Sequence, residues 1–281
     1  MNYRELINKG TSILRDYHIK TANLDAELLL STSLDKSREA ILLNLEQELN
    51  LDEERNYMNL ISRRKNKEPI SLINGKKYFW KYLFEVNKNV LTPRFETELL
   101  VEKILDIYRQ SNNISVLDVG LGSGCILISL LKEKNKWRGT GIDICNLAIK
   151  TAKINAKMQQ VENRIRFINS DIDNFFSRKY DLVVSNPPYI NKIGYNNLDR
   201  GVKGYEPKKA LYGGLDGFDI IVKVIKKSNN ILKKNGLLAM EIGFGQYFHS
   251  MEILKKNGFY VLKTINDYQK IKRCFIAKKI K

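Results

Sequence analysis

Histidine, cysteine and long apolar runs are scarce in this sequence of 281 residues. The two histidines, His18 and His249, lie near no motif that suggests a site, and this argues against a histidine-based triad or a two-histidine metal centre. The cysteines, Cys125, Cys145 and Cys274, are scattered and form no Cys-x-x-Cys pair. That distribution suits a reducing cytoplasm and argues against a zinc site, so we expect no metal.

No apolar stretch approaches the roughly 20 residues of a membrane span. Charged residues also interrupt the apolar pattern over the first fifteen positions, so neither a signal peptide nor a membrane partner is expected. With 43% hydrophobic and 28% charged residues, the composition is typical of a soluble globular protein. These observations predict a cytoplasmic protein.

Lysine and arginine exceed the acidic residues by 48 to 31, which gives a formal net charge of +17. One interpretation is attraction to RNA, a ribosome or an acidic protein. The other is compositional, because the chain is rich in Lys, Asn and Ile and its lysines are spread rather than clustered. Charge alone does not choose between them.

The first 70 residues show helical spacing and no strand pattern. A capping box at Asn50 and Glu53 predicts a helix that runs to the basic end Arg63-Arg64-Lys65 before Pro69. We therefore expect residues 1–70 to form a small helical bundle, which we interpret as a substrate-recognition domain. Residues 71–91 change to aromatic and β-branched runs, typical of a β-hairpin that links two domains.

From residue 92 to 281 the pattern alternates between helix and strand, which predicts an α/β domain with a parallel sheet. Seven strands, with the last returning after a hairpin, describe a Rossmann-like, mostly parallel sheet. The predicted strands are 114–119, 138–143, 164–169, 180–185, 236–242, 259–264 and 273–278.

A glycine-rich turn follows the first of these strands. Gly120, Gly122 and Gly124 alternate with Leu121 and Ser123 before an apolar helix. Glycine leaves room for a ligand at the carboxyl edge of the sheet. Because Cys stands where the dinucleotide fingerprint requires its last glycine, the spacing does not match that motif. Such a loop can instead pass beneath the methionine part and ribose of S-adenosylmethionine, and a structural strand-to-helix turn is the alternative.

Two acidic residues at the next strand ends support a nucleoside site. Asp143 closes the second strand, where a carboxylate can accept both ribose hydroxyls; its alternative role is to cap the helix near Asn146. Asp171 follows the third strand and could accept from an adenine amino group, with Ile172 against the ring. A turn-forming aspartate is the alternative for Asp171.

The segment Asn186-Pro187-Pro188-Tyr189 directly follows an apolar strand. The Asn186 side-chain oxygen and the Pro187 carbonyl could accept the two N–H bonds of a planar NH₂ group and aim its nitrogen at a methyl donor. Pro187 and Pro188 would hold these acceptors in place, and Tyr189 would stack on the planar group. With the glycine loop, the motif predicts an S-adenosylmethionine-dependent amino-group methyltransferase whose product is S-adenosyl-L-homocysteine.

The chain resembles the peptide chain release factor glutamine methyltransferases over nearly its whole length. The segments that carry the resemblance are Leu24 to Leu29, Arg63 to Ile70, Thr92 to Glu98, Asn186 to Tyr189 and Ala210 to Gly217. The resemblance implies a class I methyltransferase fold and methylation of the glutamine in the Gly-Gly-Gln loop of translation release factors. It implies cofactor contacts at Gly120 to Gly124, Asp143, Ile172 and Asn186, and substrate contacts at Asn186 to Tyr189.

Arg94 and Glu98 either shape the pocket or form an ion pair near a helix start. Three positions depart from the family pattern: Leu121 replaces a threonine, Phe95 replaces the second proline of Thr-Pro-Arg-Pro-Glu-Thr-Glu, and Lys270 stands where glycine is usual.

Two other substrates stay open at this point. One is a glutamine of a ribosomal protein, and the other is an adenine or guanine amino group in nucleic acid. The helical segment lacks an RNA-binding signature, so we expect no stable nucleic-acid complex. We also expect a monomer whose partners are release factors.

Overall fold

The computed structural model describes residues 1–177 and 179–280, and the contacts within it divide the chain into two compact units. The first unit consists of Met1–Gly75 together with Asp199–Tyr205, and the second of Lys76–Leu198 together with Glu206–Lys281. The first unit thus extends past residue 70 and includes a segment from the middle of the chain. Sequence patterns did not single out that segment. The hairpin is grouped with the second unit.

Helices in the described residues begin at polar caps where the sequence provides them. Asn2 and Asn50 each accept from the backbone three residues later, while Glu5 and Glu53 reach back to the cap, so the predicted capping box at Asn50 is present. In chain order, helices α1 to α13 are Tyr3–Asp16, Ala22–Ser33, Arg38–Leu43, Leu51–Lys65, Ile70–Asn74, Phe95–Ile107, Cys125–Glu133, Asn146–Met158, Lys192–Asn196, Arg200–Lys203, Lys208–Leu211, Asp219–Ile231 and Tyr247–Lys256.

The helical unit packs an apolar core from α1, α2 and α4. Gly10 on α1 allows a close approach to α4, since a Cβ there would lie 2.1 Å from the Tyr57 hydroxyl oxygen. Arg64 Nε on α4 donates to Asp25 Oδ2 on α2 at 2.7 Å; Asp25 is buried and Arg64 is partly buried. Removing Arg64 would leave the buried Asp25 carboxylate without its cation, so this pair stabilises the packing of α2 on α4.

The second unit contains a two-stranded antiparallel hairpin and a seven-stranded sheet in the order β5-β4-β3-β6-β7-β9-β8. All neighbouring pairs in the large sheet are parallel except those made by β9. This confirms the predicted Rossmann-like α/β class. In chain order, strands β1 to β9 are Lys76–Phe79, Tyr82–Glu85, Ser115–Val119, Arg138–Asp143, Ile165–Asn169, Tyr180–Ser185, Leu232–Glu241, Phe259–Asn266 and Lys272–Lys279.

Strand β7 begins earlier than its predicted start at residue 236. Its pairing with β6 shifts register, because Tyr180 pairs with Leu232 and Leu182 pairs with Leu237. Asn235 lies in the bulge with a positive φ of 64°. Lys-Lys-Asn-Gly is a turn signal in sequence, and here the strand absorbs it as a bulge.

Apolar residues cover both faces of the large sheet. One face packs against α6, α7 and α8, and the other against α12 and α13. Central strands are therefore nearly continuous apolar runs, as parallel sheets require. Polar residues collect instead where β3, β4, β5, β6 and β7 end, along the carboxyl edge.

None of the helices within residues 1–177 and 179–280 has the length and apolarity needed to cross a bilayer.

Candidate active site

The glycine loop and the Asn-Pro-Pro-Tyr motif begin side by side. Val119 ends β3 and pairs with Ser185 at the end of β6, and the Ser185 hydroxyl donates to the Val119 carbonyl at 2.7 Å. Gly120 and Asn186 follow these paired residues directly. The strand order reverses between β3, whose crossover leads to β4 on one side, and β6, whose crossover leads to β7 on the other, and open α/β sheets bind ligands at such a position.

The loop from Gly120 to Gly124 is tied to Asp143. The amide of Gly122 donates to Asp143 Oδ2 at 2.9 Å, and the amide of Cys145 donates to Oδ1 at 2.8 Å. Gly120 has a positive φ of 75°, and nothing lies within 4 Å of where its Cβ would be. The structure thus brings Asp143 to the loop, where each oxygen keeps a lone pair free, while the loop itself faces open space.

Buried parts of the loop hold its shape. Leu121 is buried against Gly141, where an added Cβ would lie 2.6 Å from the Leu121 side chain. The carbonyl of Ser123 accepts from Asn155 Nδ2 at 2.9 Å. Leu121, which replaces the family's threonine, therefore serves packing beneath the loop.

Asp118 lies under the loop on β3 and is 1% exposed. Neither of its carboxylate oxygens has a hydrogen-bond partner among the described residues. Burial raises the pKa of Asp118 well above its usual range, and the nearby Asp143 adds to that shift. The backbone amide of Leu127 partly opposes that shift, but among the described residues no cation or well-formed hydrogen bond compensates the carboxyl group of Asp118, to which sequence reasoning had not assigned a role.

Asp171 makes a turn-forming contact, which was the alternative to accepting from an adenine amino group. Its side chain accepts from the amide of Asp173 at 2.9 Å and caps a short 3₁₀ turn over Ile172–Asn174. Ile172 itself is 5% exposed and packs into the sheet core. Both residues lie at the end of β5, next to the strand that ends in Asp143.

Thr97 and Glu241 lie behind the acceptor motif and connect its Asn186 and Tyr189 side chains through hydrogen bonds. Asn186 Nδ2 donates to Thr97 Oγ1 at 3.1 Å, and Thr97 Oγ1 donates to Glu241 Oε2 at 2.5 Å. The Tyr189 hydroxyl donates to Glu241 Oε1 at 3.2 Å. No donor among the described residues contacts Asn186 Oδ1 or the Pro187 carbonyl, so these two oxygens stay available.

The backbone of the motif is held by close packing. A Cβ on Gly213 would lie 2.5 Å from the Pro188 carbonyl oxygen, and one on Gly217 would lie 2.4 Å from the Tyr189 carbonyl oxygen. Gln246 Nε2 donates to the carbonyls of both Tyr189 and Gly217 at 3.0 Å. The family-like glycines after the motif are therefore needed so that the chain can pass this closely.

A cavity of about 170 Å³ lies beside Tyr189. Burial raises the pKa of Glu241, which is 2% exposed, to about 7, although the Thr97 and Tyr189 hydroxyls oppose the shift. Burial also raises the pKa of Tyr189, and the nearby Glu241 adds to the effect. The cavity is lined by Arg94, Glu96, Tyr189, Glu241 and Arg273.

Arg94 and Glu98 do not form an ion pair with each other. Arg94 Nη2 pairs with the buried Glu206 at 2.5 Å, while Glu98 Oε1 accepts from the amide of Trp80 at 2.9 Å. Arg94 therefore lines the cavity and Glu98 anchors the hairpin.

Two departures from the family pattern lie against one loop. The ring of Phe95, at the start of α6, stacks on Tyr268 with centroids 5.1 Å apart. Lys270, in the same β8–β9 turn, keeps a positive φ of 63°. A residue with a side chain holds this left-handed conformation at a cost of about 1–2 kcal/mol, so the backbone that glycine favours is retained here.

Sequence reasoning missed Thr97 and Glu241. Glu241 ends the apolar run Leu237 to Met240, and a polar residue after a strand of a parallel sheet was the available signal. Thr97 lies in the Thr92 to Glu98 segment that carries the family resemblance, but its role depends on a contact with a residue 144 positions away. In the described part of the chain, no group of three or more His, Cys, Asp or Glu side chains is placed to hold a metal ion.

Solved structures share the fold of this chain. Ribosomal protein L11 methylase from Lactobacillus delbrueckii subsp. bulgaricus matches with a TM-score of 0.51 and 18% identity over 68% of this chain and 82% of that one. The M. jannaschii tRNA m1G37 methyltransferase matches with a TM-score of 0.52 and 21% identity over 73% and 56%. At these identities the likeness concerns the fold, and both are methyltransferases by name.

Family models and curated relatives match the sequence itself. The PrmC N-terminal domain matches residues 5–75, and the methyltransferase small domain matches residues 95–198. A release factor glutamine methyltransferase of Fusobacterium nucleatum is 35% identical over 98% of this chain and 78% of its own length. The protein of the same name from Clostridium acetobutylicum is 35% identical over 99% and 98%. The chain therefore belongs to the release factor glutamine methyltransferase family.

Proposed function

We propose that this protein transfers a methyl group from S-adenosylmethionine to the side-chain amide nitrogen of the glutamine in the Gly-Gly-Gln motif of release factors. The observation that carries the proposal is the pair of unengaged acceptors, Asn186 Oδ1 and the Pro187 carbonyl, beside a glycine loop at the carboxyl edge. The names of relatives that match nearly the whole chain support the same substrate.

The residues at the loop fit S-adenosylmethionine. Open space at Gly120 leaves room for the ligand, and the Asp143 carboxylate can accept from ribose hydroxyls. The orphaned oxygens of Asp118 suit a cationic ligand, since an opposite charge would favour their ionised form. Asp171 and Ile172 would complete the adenine end. When bound, the cofactor supplies an electrophilic methyl on a sulfonium.

A carboxamide nitrogen is a poor nucleophile because its lone pair is delocalised into the carbonyl. Asn186 Oδ1 and the Pro187 carbonyl would each accept one N–H, which orients the nitrogen and stabilises the positive charge that develops on it. Pro188 and Tyr189 are locked by the packing at Gly213 and Gly217, so these acceptors need no reorganisation. Tyr189 would pack against the plane of the amide.

The reaction forms a nitrogen–carbon bond and breaks the sulfur–carbon bond, leaving a neutral thioether. One proton leaves the methylated nitrogen after transfer. The hydrogen-bond acceptors weaken that N–H bond as the charge grows, so transfer itself needs no titrating base. The Asn186 oxygen and the Pro187 carbonyl accept hydrogen bonds from the nitrogen, and the proton stays on that nitrogen until it passes to water.

The test is incubation of the purified protein with methyl-labelled S-adenosylmethionine and a release factor, followed by peptide mass analysis. We expect one methyl group on the glutamine of Gly-Gly-Gln, and none when that glutamine is replaced by alanine. Ribosomal proteins, DNA and RNA are tested in parallel. Label only in nucleic acid, or only in a ribosomal protein, would overturn the proposal.

We further propose that the helical unit contributes to recognition of the protein substrate, because one glutamine loop offers little surface for selection. Comparing an intact release factor with a short Gly-Gly-Gln peptide tests this on the full chain. The peptide should show a much higher KM and a similar kcat. Equal KM values would contradict a recognition role outside the catalytic site.

A further inference from the structure

Glu241 has no part in the reaction as proposed so far, yet it lies directly behind the acceptor motif. It ends β7 with a side chain that is 2% exposed. Each of its oxygens faces one hydroxyl: Thr97 Oγ1 at 2.5 Å and Tyr189 Oη at 3.2 Å. Burying a carboxylate costs free energy, and the hydrogen bonds from these two hydroxyls offset only part of that cost. A buried carboxylate directly behind the acceptor motif therefore needs an explanation.

The hydroxyl of Thr97 links the carboxylate to the Asn186 amide. A hydroxyl has one proton to donate, and an ionised carboxylate can only accept. Thr97 therefore gives its proton to Glu241 and presents lone pairs to Asn186. Only the NH₂ end of the Asn186 amide can meet those lone pairs. Its oxygen must then point the other way, into the acceptor site.

We infer that Glu241 is a positioning residue whose carboxylate, through the hydroxyl of Thr97, sets the orientation of the Asn186 amide and holds Tyr189 beside it. The inference rests on the proposed function and adds to it the group that selects between the two ends of a nearly symmetrical amide. If the amide were turned, its NH₂ would face the NH₂ of the substrate, and two donors would oppose each other.

The same chain of contacts makes the orientation depend on protonation. A neutral Glu241 can donate to Thr97, which frees the threonine proton for Asn186 Oδ1 and allows the amide to turn. Burial raises the pKa of Glu241 to about 7, so the change falls in a measurable range. The titratable and charged groups that face Glu241 are Arg94 before α6, Glu96 on α6, Cys125 on α7, Tyr189 after β6, and Arg273 and Cys274 on β9.

The test is the pH profile of kcat with a release factor, measured for the unaltered protein and for Glu241→Gln. We expect kcat of the unaltered protein to rise with pH around neutrality, because the carboxylate is the orienting form. Glu241→Gln should lower kcat about 10- to 100-fold at alkaline pH, the loss expected when a buried donor or acceptor is left without its partner, and should abolish this rising limb of the pH profile. Calorimetry should show unchanged affinity for S-adenosylmethionine.

Two variants at Thr97 carry the test independently of Glu241→Gln. Thr97→Val removes the hydroxyl, so it should lower kcat and abolish the limb, whereas Thr97→Ser keeps the hydroxyl and should retain the limb. Combined with Glu241→Gln, Thr97→Val should cause little further loss, because both break the same chain of hydrogen bonds. If Glu241→Gln does not fold, the two Thr97 variants and the pH profile of kcat for the unaltered protein still test the inference.

Several results would overturn the inference. A flat kcat profile for the active unaltered protein, a limb that persists in Thr97→Val, or a full kcat in Glu241→Gln would each do so. A parallel loss of S-adenosylmethionine affinity would assign Glu241 to general stability instead. If the unaltered protein methylates no release factor, the proposed function itself has failed, and that outcome is recognised before any variant is compared.

Discussion

At the two ends of its strands, the seven-stranded sheet holds carboxylates whose pKa values shift in opposite directions. We call these ends its amino edge and its carboxyl edge. At the amino edge, Asp181 accepts from the amide and hydroxyl of Ser115 at 2.9 and 2.7 Å and from Lys233 at 2.8 Å. Burial alone would raise its pKa, but the bonds from Lys233 and Ser115 outweigh burial and lower it. At the carboxyl edge, burial prevails at Asp143 and Glu241 and raises the pKa of each.

The difference shows which edge is built for stability and which for binding. The same strands and the same packed faces run from the amino edge to the carboxyl edge of the sheet. The fold itself therefore does not require carboxylates with few hydrogen-bond partners at the carboxyl edge. Groups kept in a costly state that a ligand or substrate could relieve are expected at functional sites. The amino edge completes its own hydrogen bonds, and the carboxyl edge leaves some for a ligand.

Asn186→Ala should have the largest effect at the carboxyl edge. It removes one of the two oxygen acceptors, so kcat should fall by about 1000-fold or more, while affinity for S-adenosylmethionine stays nearly unchanged. Labelled methyl transfer and calorimetry measure the two quantities. Full turnover would remove the role given to Asn186.

A matched control lies five residues further on. Asn191 Oδ1 accepts from the amide of Gly194 at 2.7 Å and caps α9. Asn191→Ala should cost about 1 kcal/mol of stability and leave kcat intact. A similar loss of kcat in both variants would mean that the segment, rather than the Asn186 oxygen, had been disturbed.

Glu241→Gln should change stability in a pH-dependent way. The folded pKa, about 7, lies above the ordinary value of 4.5, so the folded state binds more protons than the unfolded state between these values. Stability of the unaltered protein therefore falls as pH rises through that window, by about 3 kcal/mol in all. The glutamine of the variant does not titrate, so urea unfolding should favour the variant increasingly from about pH 5 to about pH 8. A difference that is constant with pH would contradict this.

Asp143→Asn should weaken the cofactor rather than the chemistry. The variant keeps the shape of the side chain and one acceptor but loses the charge that strengthens hydrogen bonds to ribose, so Kd for S-adenosylmethionine should rise about 10-fold. Calorimetry measures it, with Asp173→Asn as the control. Asp173 also follows β5 but pairs with Lys223 at the surface. Equal affinities for both variants would remove the ribose role.

Local patterns predicted much of this edge from sequence. Strands β3, β4, β5 and β6 were predicted to within one residue at each bound. Strand β4 ends in the candidate Asp143, β3 and β6 directly precede Gly120 and Asn186, and β5 ends two residues before Asp171. Periodicity and turn chemistry act over short distances, so they are visible in one sequence. The same local signals gave the capping box at Asn50.

Long-range contacts explain what the sequence could not reveal. Asn186 and Thr97 are 89 residues apart, and Thr97 and Glu241 are 144 apart. The apolar run Leu237 to Met240 places Glu241 at a strand end, but it does not reveal which side chains Glu241 contacts. The sequence does not reveal the packing of residues 199–205 with the helical unit either, because these contacts also join distant parts of the chain. One example is the hydrogen bond that the Tyr205 hydroxyl donates to the Asn66 carbonyl.

Asp181→Asn should have the smallest effect and only on stability. The variant keeps an oxygen for Ser115 but loses the ion pair with Lys233, so the free energy of unfolding should fall by about 1–2 kcal/mol at neutral pH. Because the folded pKa of Asp181 is lowered, its contribution is present above the unfolded pKa and is lost as pH falls through the folded one. Urea unfolding of the two proteins should therefore converge in acid. Methyl transfer should be unchanged, since Asp181 lies at the opposite end of β6 from Asn186; a drop in kcat, or a stability difference that persists in acid, would erase the contrast between the two edges.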